Sequence, residues 1–143
     1  MAARGLGKVG GIVKGYLAER RLPENLRRLH EAIKEFQPTK RFHYELDYQR
    51  ELTGFLRARF GSVVVEEQRG RSRPDIVVFE IAIEVKGPTT NHELKTIADK
   101  IVRYHQHFQS VVSVLFDVQD EQHFEEWLAG MARQFPHVVI IRK

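Results

Sequence analysis

The segment Ile81-Ala-Ile-Glu-Val-Lys86 constrains the fold of this chain more than any other. Its alternation predicts a β-strand with branched apolar side chains on one side and with Glu84 and Lys86 together on the other. Burying two charged side chains among apolar residues is costly unless they are paired or hold a metal ion. The segment therefore predicts a polar site built into the sheet of a folded domain.

The segments around this strand alternate between helical and strand-like patterns. Apolar spacing predicts a helix over 43–60 with Tyr44 on its apolar side, and a last helix that carries Trp127. A second helix is predicted to start at the capping box formed by Thr90 and Glu93 and to have Tyr104 on its apolar stripe. Runs of β-branched and apolar residues predict strands over 62–67, 75–79, 81–86, 111–116 and 137–141. We expect an α/β domain over residues 42–143, with a mixed β-sheet sandwiched by helices in the order αβββαβ and then αβ. The fully apolar strand over 111–116 should be central in the sheet.

The first 41 residues are strongly basic. They hold ten Lys and Arg side chains against four Glu, so they carry +6, whereas the other 102 residues carry −2. We expect residues 1–41 to form a basic helical extension that binds phosphate, with a solvated helical face as the alternative. A helix after Pro23 is predicted from apolar residues at helical spacing, namely Leu22, Leu26, Leu29, Ile33 and Phe36.

The composition excludes several classes of protein. The 143 residues include no Cys, which excludes a disulfide scaffold, a thiolate zinc site and a Cys nucleophile. No apolar run approaches the length of about 18 residues that a membrane span needs, so we expect no membrane contact. The first residues lack the apolar stretch of a signal peptide, and we therefore expect a cytoplasmic location.

The strand before Ile81 contributes a third charged side chain to this site. If the chain turns at Phe79 and Glu80, antiparallel partners have numbers that add to 159, and Asp75 lies directly opposite Glu84. The turn lacks the Gly or Asn that tight hairpins favour. Facing carboxylates repel each other, and one of them tends to hold a proton unless a cation lies between them. The pattern predicts a site for a hard divalent ion such as Mg²⁺ or Mn²⁺, with Lys86 beside it to orient or deprotonate the attacking water.

Pro74-Asp75, followed nine residues later by Glu84-Val85-Lys86, resembles the PD-(D/E)xK motif of the restriction-endonuclease-like nucleases. The predicted element order over residues 43–119 is similar to the core of that family. The resemblance implies metal-dependent hydrolysis of phosphodiester bonds in DNA, by a homodimer in many members and without a small-molecule cofactor. It implies that Asp75, Glu84 and the Val85 carbonyl bind the metal ion and that Lys86 is the catalytic lysine.

The resemblance also implies an acidic residue on the first core helix. Glu45 is the first choice and Glu51 the weaker candidate, and Gln49 lies one turn on from Glu45. Contacts to DNA are expected from the loop before the motif, from the second core helix and from the N-terminal extension, through Arg69, Arg71, Arg73, Lys95, Arg103, Gln106, Arg27 and Arg28.

Two other functions stay open. A non-catalytic nucleic-acid-binding module with the nuclease fold would bind DNA with a steep salt dependence and without a response to metal. An adaptor or oligomerisation domain would use its N-terminal amphipathic helix to dock on a partner. It would not bind DNA, and its oligomeric state would change on deletion of residues 1–41.

Overall fold

A computed structural model describes residues 23–143, so Leu22 and the basic residues before it lie outside the described part of the chain. None of the helices in this part is long and apolar enough to cross a membrane. The described elements confirm a mixed α/β fold. In chain order they are α1 (Glu24–Glu35), α2 (Glu45–Phe60), β1 (Val64–Val65), β2 (Ile76–Val78), β3 (Ile81–Lys86), α3 (Asn91–Tyr104), β4 (Ser110–Leu115), α4 (Glu121–Gln134) and β5 (Val139–Arg142).

The five strands form one mixed sheet in the order β1-β2-β3-β4-β5. The first three strands are antiparallel, and β3, β4 and β5 run parallel to one another. β3 is the central strand and is buried over its whole length. β4, which is expected at the centre, is an interior strand between β3 and β5 and lies one place from the centre. The strand predicted over 62–67 is reduced to Val64–Val65, because Glu66 has a φ of 52° that interrupts the extended backbone.

The hairpin between β2 and β3 has the predicted turn and register. Ile76 pairs with Ile83 and Val78 with Ile81, so partners add to 159. The two turn residues, Phe79 and Glu80, have φ values of 55° and 65°. Left-handed backbone at both positions is what a two-residue hairpin turn requires, although neither residue is Gly or Asn. The Phe79 ring packs edge-on against another ring of the core, that of Phe60, with centroids 5.1 Å apart.

The two faces of the sheet carry separate hydrophobic clusters. Helices α1 and α2 cover the face that bears Ile83, and helices α3 and α4 cover the face that bears Ala82. Leu29 and Ile33 of α1 are fully buried in the first cluster. The described part of the predicted extension is therefore part of the domain core, and the expected boundary between residues 41 and 42 does not separate two cores.

Helix α2 begins two residues later than predicted. Tyr44 is the N-terminal cap with an extended backbone, and Glu45 is the first helical residue. The Tyr44 side chain is 73% exposed, so its expected place on the buried stripe of this helix is wrong. The stripe starts instead at Tyr48, whose ring stacks on Phe116 with centroids 4.6 Å apart.

Candidate active site

Three charged side chains of the motif lie together at the carboxyl end of β3. Glu84 and Lys86 share the sheet face with Ala82, on the side of α3. Their side chains are only 3% and 7% exposed. Asp75 precedes the first residue of β2, and the register places it opposite Glu84. The site therefore forms where the β2–β3 ladder ends.

Glu84 is held by two side chains of α3. Its Oε2 lies 2.5 Å from Lys100 Nζ, and its Oε1 accepts a hydrogen bond from the Tyr104 hydroxyl at 2.8 Å. Burial and the charge of Glu84 raise the pKa of Tyr104, so this hydroxyl stays protonated and donates. Both carboxylate oxygens of Glu84 thus have a fixed donor.

Lys86 lies among three carboxylates. Its Nζ is 2.9 Å from Glu93 Oε1, 3.8 Å from Glu84 Oε2 and 4.0 Å from Glu45 Oε1. Burial by itself lowers the pKa of Lys86, but the hydrogen bond to Glu93 and the three negative charges outweigh it and raise that pKa. Lys86 is therefore held as a cation. Partial burial raises the pKa of the Glu45 carboxyl.

Asp75 has the ionisation behaviour expected of one of two facing carboxylates. Burial and then the charge of Glu84 raise its pKa to about 7, and a hydrogen bond from the Val85 N–H opposes this shift. That bond joins Val85 N to Asp75 Oδ2 at 2.7 Å. The backbone carbonyl of Asp75 accepts from Gln49 Nε2 at 3.3 Å, which ties the motif to α2.

The β2–β3 ladder ends at the pair Ile76–Ile83. Pro74, two residues before Ile76, has no N–H with which to continue the ladder. Beyond this point the N–H of Val85 donates to the Asp75 side chain instead of to a backbone carbonyl of the neighbouring strand.

The oxygen atoms at the end of β3 are the kind of donor that hard divalent ions prefer. Within residues 23–143, no three His, Asp or Glu side chains are grouped so as to hold a metal ion. Mg²⁺ needs fewer protein ligands, because it takes one or two carboxylates and keeps several waters. Of the predicted ligands, Asp75 and Glu84 are carboxylates of this cluster, and Oε2 of Glu84 is occupied by Lys100 Nζ. Metal binding through that oxygen therefore requires Lys100 to move away.

Of the two acidic candidates on α2, only Glu45 reaches the site. Glu51 lies elsewhere, where its carboxylate accepts from the Thr39 backbone N–H at 2.8 Å and from the Thr39 hydroxyl at 2.5 Å. These hydrogen bonds lower the pKa of Glu51. Glu51 therefore fastens the segment before α2 and is not part of the cluster.

The three arginines of the loop before the motif have different surroundings. Arg69 forms ion pairs with Glu67 and Glu80, and its guanidinium lies 4.5 Å from the centre of the Phe108 ring. Arg73 pairs with Glu66 at 2.8 Å. Arg71 is exposed and has no acidic partner among the described residues. Of the three, only Arg71 presents an uncompensated charge.

The remaining predicted DNA contacts are spread over the surface. Lys95 is exposed on α3 without an acidic partner in the described part of the chain, whereas Arg103 lies 3.6 Å from Asp99. Gln106 is exposed and follows the last residue of α3, whose site-facing residues are Lys100 and Tyr104. In α1, Arg27 lies 3.2 Å from Glu24, and Arg28 stacks over the Phe60 and Phe79 rings.

Sequence reasoning missed Glu93, Lys100 and Tyr104. Glu93 was assigned to a capping box, and its N–H does donate to Thr90 Oγ1 at 3.2 Å, but its carboxylate binds Lys86. Lys100 and Tyr104 are four residues apart, so they lie on one face of α3. A polar pair at that spacing on the helix that follows the motif was the available signal.

Comparisons with known proteins give no relative for this chain. No protein-family model matches it, and no match was found among curated proteins or among solved structures. The fold and the site define a mixed α/β domain with a buried cluster of carboxylates and lysines at the end of its central strand.

Proposed function

We propose that this protein is a Mg²⁺- or Mn²⁺-dependent DNA nuclease with a restriction-endonuclease-like core. The observation that carries the proposal is the placement of Asp75, Glu84 and Lys86 at the end of β3, where the two strands of the hairpin part. The order from α2 to β4, a helix, three antiparallel strands, a helix and a parallel strand, supports the same core.

The chemistry proposed for the site uses its two kinds of charge. A bound Mg²⁺ ion supplies Lewis-acid polarisation of the scissile phosphate and activates water as the nucleophile. Asp75, Glu84 and the Val85 carbonyl hold that ion. Lys86 acts through its positive charge, which the hydrogen bond to Glu93 and the nearby carboxylates favour. Its ammonium group stabilises the negative charge that develops on the phosphate during hydrolysis.

Two exposed positive side chains on the surface fit a polyanionic substrate. Arg71 and Lys95 are exposed and have no acidic partner among the described residues. Their charges are free to contact phosphates of a nucleic acid. A cut through both strands needs two such sites, so we expect the form active on duplex DNA to be a homodimer.

A cleavage assay tests the proposal. The protein is incubated with supercoiled, linear, single-stranded and branched DNA, with Mg²⁺, with Mn²⁺ or with a chelator. We expect cleavage of at least one substrate only when metal is present. Lys86→Met and Asp75→Asn should each lower the rate by about 100-fold or more. Glu125→Gln on α4 serves as the matched control for loss of a charge and should cleave normally. Absence of metal-dependent cleavage on every substrate contradicts the proposal.

A second candidate is a nucleic-acid-binding module without catalysis. It is favoured by the state of Glu84, whose two oxygens already have donors in Lys100 and Tyr104. This candidate predicts DNA binding that weakens steeply with salt and is unchanged by Mg²⁺ or by Asp75→Asn. A gel-shift titration next to the cleavage assay separates the two functions.

A further inference from the structure

Lys100 occupies the place that a divalent ion needs at Glu84. Its Nζ lies 2.5 Å from Glu84 Oε2, on the sheet face where Asp75 stands opposite Glu84. A Mg²⁺ ion binds carboxylate oxygen at about 2.1 Å. An ammonium nitrogen and a divalent ion that share one oxygen at these distances repel each other strongly. The observed ion pair and metal binding through Oε2 are therefore alternatives.

The burial and charge of Glu84 explain why a cation lies beside its carboxylate. Glu84 is 3% exposed, and a buried carboxylate without a compensating charge is costly. Lys86 is engaged more closely by Glu93, at 2.9 Å, than by Glu84, at 3.8 Å. Lys100 is thus the closest cation to Glu84 among the described residues. Its own side chain is 28% exposed, so its end can turn toward solvent without disturbing the core.

We propose that Lys100 is a resident counter-ion of Glu84 that the metal ion displaces, and that it sets the metal affinity of the site. The inference rests on the proposed function. Lys100 is a positioning residue in this account, because it keeps Glu84 compensated and in place while no metal is bound. Metal binding then includes the cost of breaking the Lys100–Glu84 pair. The site binds metal more weakly than its oxygen donors alone would allow.

The proposed role of Lys100 and a merely structural role predict opposite changes in metal affinity when Lys100 is replaced. If Lys100 only fixes the side-chain position of Glu84, its loss should weaken metal binding. If it competes with the metal, its loss should strengthen metal binding and at the same time destabilise the metal-free protein. Metal affinity and thermal stability must therefore move in opposite directions.

The test is calorimetric titration of Mn²⁺ into the wild type, Lys100→Met and Lys100→Gln. The second variant keeps a hydrogen-bond donor without the charge, in case the first does not fold. We expect both variants to bind Mn²⁺ about tenfold more tightly than the wild type. Their melting temperatures without metal should be lower, and their gain in melting temperature at saturating Mn²⁺ should be larger. Lys100→Arg and Lys95→Met, which keep the charge at Glu84, should bind Mn²⁺ like the wild type.

The outcomes separate the two proposals. Wild-type binding of Mn²⁺ with equal or weaker binding in folded Lys100→Met and Lys100→Gln overturns the displacement of Lys100 and leaves the nuclease proposal intact. Absence of Mn²⁺ binding in all five proteins overturns both. If Lys95→Met also binds Mn²⁺ more tightly than the wild type, the cause is a general effect of net charge. That result overturns the displacement of Lys100 but not the nuclease proposal.

Discussion

The carboxylate of Asp75 accepts a hydrogen bond at 2.7 Å from the backbone N–H of Val85, just beyond the last pair of the β2–β3 ladder, Ile76–Ile83. Pro74 has no N–H, so it cannot continue the pairing of β2 with β3. The N–H of Val85 donates to the Asp75 side chain instead. A Pro before the Asp thus has a physical role, because it opens the ladder at the point where the charged residues meet.

The raised pKa of Asp75 predicts how stability depends on pH. The folded protein holds a proton on Asp75 up to about pH 7, whereas the unfolded chain releases it near the ordinary pKa of 3.8. The protonated carboxyl of Asp75 therefore adds to the free energy of unfolding below about pH 4, and this contribution is lost as the pH rises through 7. Asp75→Asn stays uncharged, so without metal it should be more stable than the wild type by roughly 2 to 4 kcal/mol at pH 8 and similar to it at pH 4. Urea unfolding at both pH values measures this, and an equal difference at the two would contradict it.

Gly87 directly follows the motif and is packed against two rings. A Cβ at this position would lie 2.6 Å from Tyr48 Cδ2 and 2.9 Å from Phe116 Cβ. Gly87→Ala should therefore lower the free energy of unfolding by about 2 kcal/mol or more. Gly54→Ala is the matched control, because Gly54 lies in α2 with no atom within 4 Å of the added Cβ. That change should stabilise the protein by about 1 kcal/mol. Denaturant unfolding of both variants is the measurement, and a loss of similar size in both would be inconsistent with this packing.

Glu45 and Glu51 offer a paired test of which acid belongs to the site. Glu45 Oε1 lies 4.0 Å from Lys86 Nζ, whereas Glu51 binds Thr39. Glu45→Gln should lower the rate of metal-dependent cleavage by about 10- to 100-fold, because residues that orient catalytic groups typically contribute that much. Glu51→Gln should leave the rate unchanged. Equal rates for Glu45→Gln and the wild type would remove Glu45 from the site.

Arg71 and Arg69 should differ in what their loss affects. Arg71→Ala should weaken DNA binding and reduce the slope of log affinity against log salt by about 1, as expected for one lost phosphate contact. Arg69 is engaged by Glu67, Glu80 and the Phe108 ring, so Arg69→Ala should lower the melting temperature. Salt titrations of DNA binding and thermal melts of both variants check this. A lower melting temperature for Arg71→Ala alone would reverse the assignment.

The sequence predicts the β2–β3 hairpin and its register, but it does not predict which side chains of the packed helices contact the charged residues of that hairpin. Alternation in β3 fixed which side chains share a face, and the two-residue turn fixed the register that sets Asp75 opposite Glu84. Both follow from the geometry of neighbouring residues in the chain. The hydrogen-bond partners of Glu84 and the closest partner of Lys86 come from α3, and these contacts depend on how that helix is rotated against the sheet. Periodicity placed Tyr104 on the apolar stripe, and it is indeed buried there, but its hydroxyl contact with Glu84 is a tertiary property.

The short β1 and the exposed Tyr44 have a similar cause. Their sequences have the expected β-branched or apolar character, but local backbone geometry at Glu66 and at the start of α2 decided the outcome. The ion pairs of Arg69 and Arg73 depend on loop geometry that no pattern in the sequence specifies.

The most direct measurement of the central claim is the anomalous scattering of Mn²⁺ in crystals soaked with that ion. We expect one Mn²⁺ within about 2.4 Å of oxygens from both Asp75 and Glu84. The Val85 carbonyl should complete the protein ligands, and Lys100 Nζ should have moved away from Glu84. Full occupancy of other sites with no Mn²⁺ between Asp75 and Glu84 would contradict the account.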